Sequence, residues 1–460
     1  MSLIKSISGI RGTIGGKVDE NLTPIDAVKF AAAYGSWLKG QSGKEYVKVV
    51  IGRDARISGE MIQNLVQYTL IGLGIDVVNI GLSTTPTVEV AVPLEKADGG
   101  IILTASHNPK EWNALKLLNN KGEFVSDEDG KAILRIAQEN DFSFASVDHL
   151  GKLSHDDRYI DLHIEQVLAL PLVTPKAIQE KKFRVVVDAV NSTGGIAIPR
   201  LLERLGVEVI KLYCEPNGHF PHNPEPLKEH LGDICKRVVE EKADFGIVVD
   251  PDVDRLAFIT DQGEMFGEEY TLVACADYVL GKAKGNVVSN LSSSRALRDI
   301  AQKHGVTYSA AAVGEVNVVT EMKRVGAIIG GEGNGGIIYP ELHYGRDALV
   351  GVALFLSLLA ERGGSVQQLR ESYPAYFMSK NKIQLTEQIN PDQILKAMEQ
   401  KYAHEQTTTI DGLKIDFSES WVHLRKSNTE PIIRIYTEAK SQKEADELAQ
   451  RFIQEMQALI

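Results

Sequence analysis

Three aspartates with alternate spacing, Asp250, Asp252 and Asp254, follow directly after the apolar run FGIVV in the segment DPDVDR. They stand where the chain leaves the carboxyl end of a predicted strand, the usual ligand edge of an α/β sheet. In extended chain, residues two apart project to one side, so we expect the carboxylates to converge. Two carboxylates about 4 Å apart repel by about 4 kcal/mol at an effective dielectric of about 20, and a divalent cation removes that cost. Oxygen ligands favour Mg²⁺ or Ca²⁺ over zinc, and neighbouring phosphate contacts would favour Mg²⁺. The motif therefore predicts a site for a hard divalent cation, with a solvated acidic turn as the alternative.

A second polar segment, TASHNP at residues 104–109, also follows an apolar strand, and it carries Ser106 and His107. The proline prevents a helix from starting cleanly, so we expect Ser106 to lie on an exposed turn. A serine hydroxyl is a weak nucleophile unless a base, a metal or a donor network activates it. The pattern Gly-x-Ser-x-Gly does not surround Ser106, so an acyl-transfer triad is poorly supported. Taken alone, the segment also fits an ordinary Ser/Asn turn.

The glycine-rich segment GEGNGG at residues 331–336 formally matches the dinucleotide-binding pattern Gly-x-Gly-x-x-Gly. The residues that follow it, IIYP, do not open a helix whose N-terminus could hold a pyrophosphate, so the sequence argues against a dinucleotide site. Two interpretations remain. The segment is either a loop that presents Glu332 and Asn334 to a hydroxylated ligand or an ordinary glycine-rich hairpin.

The segment RKSNTEP at residues 425–431 places a guanidinium, two hydroxyls and an amide in one turn before a strand. A forked cation with short donors around a concave backbone suits a phosphate group. A capped turn is the alternative, and Arg434, shortly after the proline, favours the phosphate site. The sequence contains no Gly-x-x-x-x-Gly-Lys-[Ser/Thr], which argues against a P-loop nucleotide enzyme. The predicted phosphate clamp consists of Arg425, Ser427, Asn428, Thr429 and Arg434.

The elements that position these segments follow from the hydrophobic pattern. Short apolar runs that end in Gly, Asp or Ser alternate with stretches of helical period, such as residues 58–72 with Ser58 as a candidate N-cap. This alternation predicts βαβ units, with mostly parallel sheets covered by helices. The C-terminal part differs, because alternating apolar residues from Ile432 to Tyr436 leave little room for crossovers. That pattern predicts an antiparallel sheet flanked by helices.

Rises in polarity divide the chain into four predicted domains. We expect an α/β protein with three similar α/β domains, whose sheets are mixed and mostly parallel, followed by a smaller α+β domain. The predicted domains are residues 1–152 with the serine segment, 153–256 with the aspartate segment, 257–372 with the glycine-rich segment, and 373–460 with the phosphate clamp.

The composition is that of a globular, enzyme-sized protein. At about 100 to 200 residues per domain, the 460 residues suggest several domains. Fifty Lys and Arg against 62 Asp and Glu give a net charge of −12, a field that repels phosphate backbones and anionic lipid. The sequence contains no apolar stretch that fits a signal peptide or a membrane span. We therefore expect a cytoplasmic protein without nucleic-acid or membrane partners.

Taken together and in this order, the four segments resemble those of the α-D-phosphohexomutase superfamily, which includes phosphoglucomutase, phosphomannomutase and phosphoglucosamine mutase. The resemblance covers essentially the whole chain. TASHNP resembles the phosphoserine loop of the family, DPDVDR its magnesium loop, GEGNGG its sugar-recognition loop and RKSNTEP its phosphate-binding loop. The resemblance implies three α/β domains and a smaller fourth domain around a central cleft, with the fourth domain closing over that cleft.

The resemblance also implies a role for each motif residue. Ser106 would carry the transferable phosphate, and a phosphate oxygen would complete a Mg²⁺ site with the three aspartates. Lys116 would be a cation and a candidate general acid or base, and Arg255 would face the sugar or the phosphoserine. The implied site comprises the catalytic residues Ser106, Arg11, His107, Lys116 and Arg255, the metal ligands Ser106, Asp250, Asp252 and Asp254, the sugar-binding residues Glu332 and Asn334, and the five clamp residues.

The implied reaction is reversible phosphoryl transfer between the 1- and 6-positions of a phosphosugar, through a phosphoserine and a bisphosphorylated sugar. The family's Ser-Gly-His at the end of the sugar loop is here Asn334-Gly335-Gly336, and His343 or Arg346 are candidates to replace the missing histidine. This variant resembles a branch whose substrates are glucosamine, glucose and mannose phosphates. Glucosamine phosphate is our first choice, and a phosphomannomutase/phosphoglucomutase of mixed specificity is the alternative. From other classes, a Mg²⁺-dependent sugar phosphatase and a non-catalytic phosphosugar-binding protein remain open.

Overall fold

The computed structural model describes residues 2–6, 9–44, 46–385, 390–427 and 432–459. The chain divides into two compact units, which are discussed separately below. The first unit contains residues 1–271 and 335–367, and the second contains residues 272–334 and 368–460. Within the described part of the chain, each helix is too short or too polar to span a membrane.

The strands are short and are numbered along the chain. They are β1 (Ile4–Ser6), β2 (Gly9–Thr13), β3 (Val47–Arg53), β4 (Ile75–Leu82), β5 (Gly99–Leu103), β6 (Trp112–Leu118), β7 (Leu153–His155), β8 (Arg184–Asp188), β9 (Glu208–Leu212), β10 (Phe245–Val249), β11 (Leu256–Ile259), β12 (Asn286–Asn290), β13 (Tyr308–Ala311), β14 (Ala327–Glu332), β15 (Gly336–Ile338), β16 (Phe377–Gln384), β17 (Gln406–Thr408), β18 (Leu413–Asp416), β19 (Trp421–Lys426) and β20 (Ile432–Ala439).

The helices alternate with the strands over most of the chain, as the sequence pattern predicts. They are α1 (Pro24–Ser42), α2 (Gly59–Gly72), α3 (Thr85–Leu94), α4 (Asp127–Glu139), α5 (Tyr159–Ala169), α6 (Pro175–Lys181), α7 (Gly194–Arg204), α8 (Gly232–Glu240), α9 (Glu268–Lys282), α10 (Ala296–Lys303), α11 (Glu315–Val325), α12 (Ala348–Arg362), α13 (Val366–Glu371), α14 (Pro391–Lys401) and α15 (Gln442–Gln457).

The first sheet of the first unit has the strand order β1-β2-β6-β5-β3-β4-β7. Strand β3 is parallel to both β4 and β5, whereas β6 is antiparallel to both β2 and β5. The inner strand β5 is buried along its whole length, as expected for a strand covered by helices on both faces. Its carboxyl end leads directly into the serine segment. The register places Arg11 on β2 opposite Ala114 on β6, and Lys116 on β6 opposite Ile102 on β5. Both cations therefore lie on strands near the carboxyl end of β5.

Helix α2 begins at Gly59, close to its predicted start, but Ser58 does not cap it with its side chain. The Ser58 hydroxyl instead accepts a hydrogen bond from the Asn113 amide nitrogen at 2.9 Å. The predicted helix is therefore confirmed, and the predicted side-chain cap is wrong, because Asn113 on β6 competes for the same oxygen.

The second sheet of the first unit has the order β11-β10-β8-β9, with β10 parallel to β8 and antiparallel to β11. Helix α8 packs on it through Ile234 and Val238, which join a buried cluster with Val248 and Ile259. Strand β10 supplies the buried run FGIVV that ends at the aspartate segment. The β10–β11 hairpin therefore fixes where the three aspartates emerge.

In the second unit, β13, β12 and β14 lie side by side and run parallel. A separate antiparallel sheet has the order β16-β20-β19-β18-β17. Helices α14 and α15 contribute Met398 and Phe452 to the buried core beneath that sheet. These sheets confirm the predicted fold class, mixed α/β followed by a smaller α+β part. The four domain boundaries given above remain a prediction.

Candidate functional site

The three aspartates occupy the turn between β10 and β11, whose last paired residues are Val249 and Leu256. All three aspartates are fully buried, and each has a carboxylate oxygen within 4.8 Å of the others. The alternate spacing predicts this convergence from an extended chain, but in the structure a tight turn brings the carboxylates together. Val253 adopts φ 64°, a left-handed conformation that is strained for a β-branched residue.

Each carboxylate has a distinct environment. Asp250 Oδ1 accepts hydrogen bonds from the backbone nitrogens of Asp254 at 3.2 Å and Arg255 at 3.1 Å. Asp252 Oδ2 accepts from Thr85 Oγ1 and from Lys116 Nζ, both at 2.6 Å. These donors hold the turn in one conformation and leave part of the carboxylate surface for a ligand.

The pKa values of Asp250 and Asp252 shift in opposite directions because their neighbours differ. Burial, reinforced by repulsion from Asp252 and Asp254, raises the pKa of Asp250 well above its ordinary value. At Asp252 burial acts in the same direction, but Lys116 outweighs it and holds the pKa of that carboxyl below its ordinary value. Repulsion of this kind is relieved when a cation joins the group.

The donor set fits a hard divalent cation. In the part of the chain that the structure describes, Asp252 Oδ1 and Asp254 Oδ1 are buried oxygens without a hydrogen-bond partner. Burying such oxygens without a partner is costly, and an oxygen-coordinated cation removes that cost. The three carboxylates can therefore hold a metal ion.

Ser106 is 3% exposed, so the predicted exposed turn is wrong. The Ser106 hydroxyl donates a hydrogen bond to Asp250 Oδ2 at 2.8 Å. This contact and the surrounding protein bury the residue. The backbone of Ser106 is left-handed, with φ 49°. The imidazole of His107 lies beside the hydroxyl, with Nδ1 at 3.3 Å from Oγ. Burial and the nearby guanidinium groups of Arg255 and Arg11 lower the pKa of His107 to about 2, so its ring is neutral.

Arg56, which lies outside the four segments that the sequence indicates, holds the backbone of the serine segment. Its guanidinium donates to the carbonyl oxygens of Ser106, Asn108, Pro109 and Trp112. The Arg56 side chain is fully buried and bonded to Asp54 Oδ2 at 3.0 Å. The acidic and basic residues at the end of β3, in IGRDAR, were the available signal.

The predicted cations of the first unit surround the serine and the aspartates. Lys116 Nζ lies 2.6 Å from Asp252 and 3.4 Å from Asp254. The Arg11 guanidinium donates to Asn108 Oδ1 at 2.8 Å, and the Arg255 guanidinium approaches His107 Nε2 at 3.4 Å. The structure therefore brings together the predicted catalytic and metal-binding residues of this unit. Their roles remain a prediction.

The two proposed replacements for the missing sugar-loop histidine make different contacts. Arg346 donates to Asp254 Oδ2 at 2.7 Å, so it joins the aspartate group. His343 lies within 3.3 Å of both Glu89 and Asp347 in a buried cluster. The buried carboxylates of Glu89 and Asp347 therefore engage His343.

In the second unit, Glu332 ends strand β14 and is 5% exposed. Its Oε1 accepts hydrogen bonds from Asn290 Nδ2 at 2.7 Å and from the backbone nitrogen of Gly314 at 3.1 Å. Asn334 is half-buried two residues later. The carboxylate is thus oriented by partners on the neighbouring strand and loop.

The two arginines of the predicted phosphate clamp lie directly opposite each other on neighbouring antiparallel strands, Arg425 on β19 and Arg434 on β20. Like charges directly opposite one another are unfavourable unless an anion compensates them. Arg425 Nη1 also lies 3.4 Å from Asp411 Oδ2, and both residues line a cavity of about 710 Å³. Ser427 follows β19, and its backbone N–H donates a hydrogen bond to the carbonyl oxygen of Ile432. The remaining clamp residues, Asn428 and Thr429, lie outside the described residues.

Models of one protein family match the chain along most of its length. They are described as phosphoglucomutase/phosphomannomutase, and they match as alpha/beta/alpha domain I at residues 3–144, domain II at residues 157–263, domain III at residues 267–376 and the C-terminal domain at residues 382–455.

Individual relatives match over almost the full length. A phosphoglucomutase/phosphomannomutase of Thermococcus kodakarensis is 36% identical over 95% of this chain and 96% of its own. A probable phosphoglucosamine mutase of Methanopyrus kandleri is 32% identical over 97% of this chain and 96% of its own. Among solved structures, a phosphoglucomutase/phosphomannomutase family protein from Burkholderia thailandensis is similar, with a TM-score of 0.86 and 25% identity over 99% of this chain and 98% of its own.

Proposed function

Because the chain belongs to the phosphoglucomutase/phosphomannomutase family, we propose that it interconverts the 1- and 6-phosphates of glucosamine through a phosphoryl group carried on Ser106. Membership confirms the predicted family, and with it the predicted class of enzyme, a phosphohexomutase and therefore an isomerase. The roles of individual residues and the identity of the sugar are proposals that rest on the geometry of the site.

The observation that carries the proposal is the contact between the Ser106 hydroxyl and the aspartate group, with Oγ 2.8 Å from Asp250 Oδ2. A phosphoryl group on this oxygen would adjoin three buried carboxylates, a position that is favourable only if cations balance the charge. Lys116 and Arg346 already reach the same carboxylates. Such preorganised positive charge is what phosphoryl transfer chiefly requires of a protein.

Asp250, Asp252 and Asp254 would hold Mg²⁺, and their buried oxygens fit a hard cation better than a soft one. When bound, such an ion supplies charge stabilisation for the transferring phosphoryl group. Thr85 and Lys116 would keep Asp252 ionised and oriented for this role.

The chemical step breaks the bond between Ser106 Oγ and phosphorus and forms a bond from phosphorus to a sugar hydroxyl oxygen. The serine oxygen takes up a proton and the sugar hydroxyl gives one up, so the step neither consumes nor releases protons overall. Burial alone would lower the pKa of Lys116, but Asp252 and Asp254 outweigh it and hold the pKa above its ordinary value. Lys116 would thus begin the step as an ammonium group, and it would pass a proton to the serine oxygen and take one back from the sugar hydroxyl. The reverse transfer returns the other phosphate of the bisphosphorylated sugar to Ser106.

In the second unit, Glu332 would bind sugar hydroxyls and Arg425 with Arg434 would bind the phosphate already on the substrate. Two guanidinium groups on neighbouring strands suit a dianion, because each can donate two parallel hydrogen bonds. Asn334, Ser427, Asn428 and Thr429 remain predicted members of this binding set.

Glucosamine phosphate is our first choice of substrate. The buried carboxylate of Glu332 suits an ammonium substituent as well as hydroxyl groups, and several relatives are named probable phosphoglucosamine mutases. The second candidate is a phosphoglucomutase/phosphomannomutase, because the relative of that name from Thermococcus kodakarensis is 36% identical.

The experiment compares kcat/KM for the 1-phosphates of glucosamine, glucose and mannose on one preparation with Mg²⁺ and a trace of sugar bisphosphate. We expect the highest value for glucosamine. A clear preference for either hexose would favour the second candidate. Continuous release of free phosphate, without exchange between the 1- and 6-positions, would instead identify a phosphatase, and binding without turnover would identify a binding protein.

A further inference from the structure

A second cluster of buried titratable side chains lies in the first unit, apart from the three aspartates in sequence. It consists of His163 on α5, His343 in the segment before α12, and Asp347, the N-cap of α12. His163 and Asp347 side chains are fully buried, and that of His343 is 11% exposed. We propose that these three residues form a second metal site, for a borderline divalent ion such as Zn²⁺.

The distances between the ligand atoms match such an ion. Asp347 Oδ2 lies 3.0 Å from His163 Nε2 and 3.3 Å from His343 Nε2. One atom from each residue lies within 4.8 Å of the others. Around a tetrahedral zinc ion with bonds of about 2.0 Å, neighbouring ligand atoms are about 3.3 Å apart. An ion can thus enter between the three side chains with little movement of the backbone.

The outer nitrogen of each histidine faces an oxygen atom, and that of His163 is already within hydrogen-bond geometry. His163 Nδ1 lies 3.0 Å from Thr87 Oγ1, and His343 Nδ1 lies 3.3 Å from Glu89 Oε2. Metal-bound histidines commonly donate their second N–H to an oxygen in this way, which fixes the tautomer and the ring orientation. The two rings lie nearly perpendicular, at 82° with centroids 6.1 Å apart, so each presents an edge to Asp347.

The chain is shaped to bring these groups together. A Cβ atom on Gly345 would lie 1.8 Å from Glu89 Oε2, so a side chain at this position would displace the Glu89 carboxylate from His343. The Asp347 Oδ1 atom accepts from the backbone nitrogen of Leu349 at 2.8 Å, which leaves Oδ2 for the histidines. The carboxylate is therefore held with one oxygen in the cluster.

The donor set separates this site from the aspartate group. Two imidazoles and a carboxylate suit Zn²⁺ and similar transition metals, whereas three carboxylates suit Mg²⁺. The bound ion would link α5 to the segment that precedes α12. It would thereby stabilise the loop that carries Arg346, whose guanidinium contacts Asp254.

The test uses the full chain, stripped with a chelator and then saturated with Mg²⁺ to fill the aspartate group. Titration with Co²⁺ alone should bind one equivalent and produce the intense visible bands of four-coordinate cobalt, which Zn²⁺ then removes. Folded protein that binds no Co²⁺ or Zn²⁺ under these conditions would overturn the proposal, because the cluster would then be a hydrogen-bonded network without a metal ion.

Variants locate the site. His163→Gln should abolish the cobalt bands, whereas the matched control His222→Gln, at a histidine that also contacts a buried carboxylate, Asp188, should retain them. Thr87→Val should weaken Zn²⁺ binding by about 10- to 100-fold through loss of the outer hydrogen bond. If His163→Gln does not fold, His343→Cys tests instead whether residue 343 binds the metal, because a thiolate ligand adds a charge-transfer band to the cobalt spectrum. A spectrum unchanged by His343→Cys would overturn the assignment.

Discussion

Lys116 lies on an inner strand of the first sheet, where a lone lysine would ordinarily be unfavourable. Its side chain is 5% exposed, and its ammonium group contacts Asp252 at 2.6 Å and Asp254 at 3.4 Å. These carboxylates raise its pKa despite burial, so the group remains protonated at neutral pH. An ammonium group held in this way can stabilise developing negative charge and supply a proton.

We predict that Lys116→Met lowers kcat by about 10²- to 10⁴-fold, since the variant loses both the proton and the positive charge. The measurement is steady-state exchange between the 1- and 6-phosphates, with circular dichroism to verify folding. Lys121→Met, at an exposed lysine soon after the same strand, is the matched control and should retain activity. A folded Lys116→Met enzyme with kcat within a factor of about three of the parent would remove Lys116 from the reaction.

At this scale, the sequence indicates the residues that stand within one short motif. Ser106 and the three aspartates could be found because their segments follow apolar strands. Thr85 and Arg56 were not identified, because nothing in their own segments shows that they contact Asp252 or the serine segment. Arg346 was named only as a replacement for the sugar-loop histidine, and its contact with Asp254 depends on tertiary packing. The burial of Ser106 was also missed, since it depends on Asp250, 144 residues further along the chain.

At the scale of elements, the serine segment is a strained turn held by one buried arginine. Ser106 has φ 49°, and the Arg56 guanidinium donates to four carbonyl oxygens around it. Asp54 holds the guanidinium in place and also accepts from Thr104 Oγ1 at 2.7 Å. Positioning of the serine hydroxyl thus depends on the end of β3 as much as on the serine segment itself.

We predict that Arg56→Leu lowers the free energy of unfolding by about 3 to 5 kcal/mol, because it leaves the Asp54 carboxylate buried without its ionic partner. Urea unfolding at neutral pH measures the change. Lys131→Met, which breaks an exposed ion pair with Asp127, is the control and should cost less than about 1 kcal/mol. Equal losses in the two variants would contradict the role given to Arg56.

The antiparallel pair of strands β19 and β20 is a second element whose geometry bears on function. It places Arg425 directly opposite Arg434, a like-charge pair that Asp411 partly compensates through its contact with Arg425 and that a bound phosphate would compensate further. The sequence indicates both arginines but does not show that they lie opposite each other. The pairing depends on which residues of the two strands hydrogen-bond, and that is settled by the buried faces of the sheet.

We predict that Arg425→Lys raises KM for the phosphosugar about tenfold and leaves kcat within a factor of about three, because charge remains while the bidentate fork is lost. Initial rates over a range of substrate concentrations separate the two constants. Arg324→Lys, at an exposed arginine bonded to Glu321, is the matched control. An unchanged KM in Arg425→Lys would count against the phosphate clamp.

For the whole molecule, the alternating pattern predicts the fold class because strand and helix periods are local properties. The assignment of residues 335–367 to the first unit is not local, and the sequence does not indicate it. Helix α12 in that stretch is almost entirely buried, and it packs on α5 and α6 from much earlier in the chain. Contacts of this kind depend on tertiary packing, which a hydrophobic pattern alone cannot specify.

Global stability should depend on the buried His423. Its Nε2 donates to the carbonyl oxygen of Asp411 at 2.6 Å and its Nδ1 accepts from Ser292 Oγ at 2.9 Å, so the partners fit the neutral ring. Burial lowers the pKa of His423 to about 4, against an ordinary value of 6.5. Between these values the unfolded chain binds more protons, so stability rises with pH through this window. The contribution is fully present above pH 6.5 and is lost as the pH falls towards 4.

We predict that His423→Gln flattens the loss of stability on acidification, and that the difference between parent and variant is on the order of 3 kcal/mol across the whole window. Urea unfolding at several pH values between neutrality and pH 4 gives the slope. His404→Gln, at a largely exposed histidine of the same unit, is the control and should follow the parent. Identical slopes for the parent and His423→Gln would contradict the assignment.

The central claim is that Ser106 Oγ lends a phosphoryl group to the sugar and recovers one. The most direct measurement incubates the enzyme with sugar bisphosphate labelled in its phosphates, digests it, and maps the labelled peptide by mass. We predict one phosphate on Ser106, which passes into product when unlabelled monophosphate is added, and no labelling of folded Ser106→Ala. An active enzyme with unmodified Ser106 throughout turnover, or a label on another residue, would contradict the account.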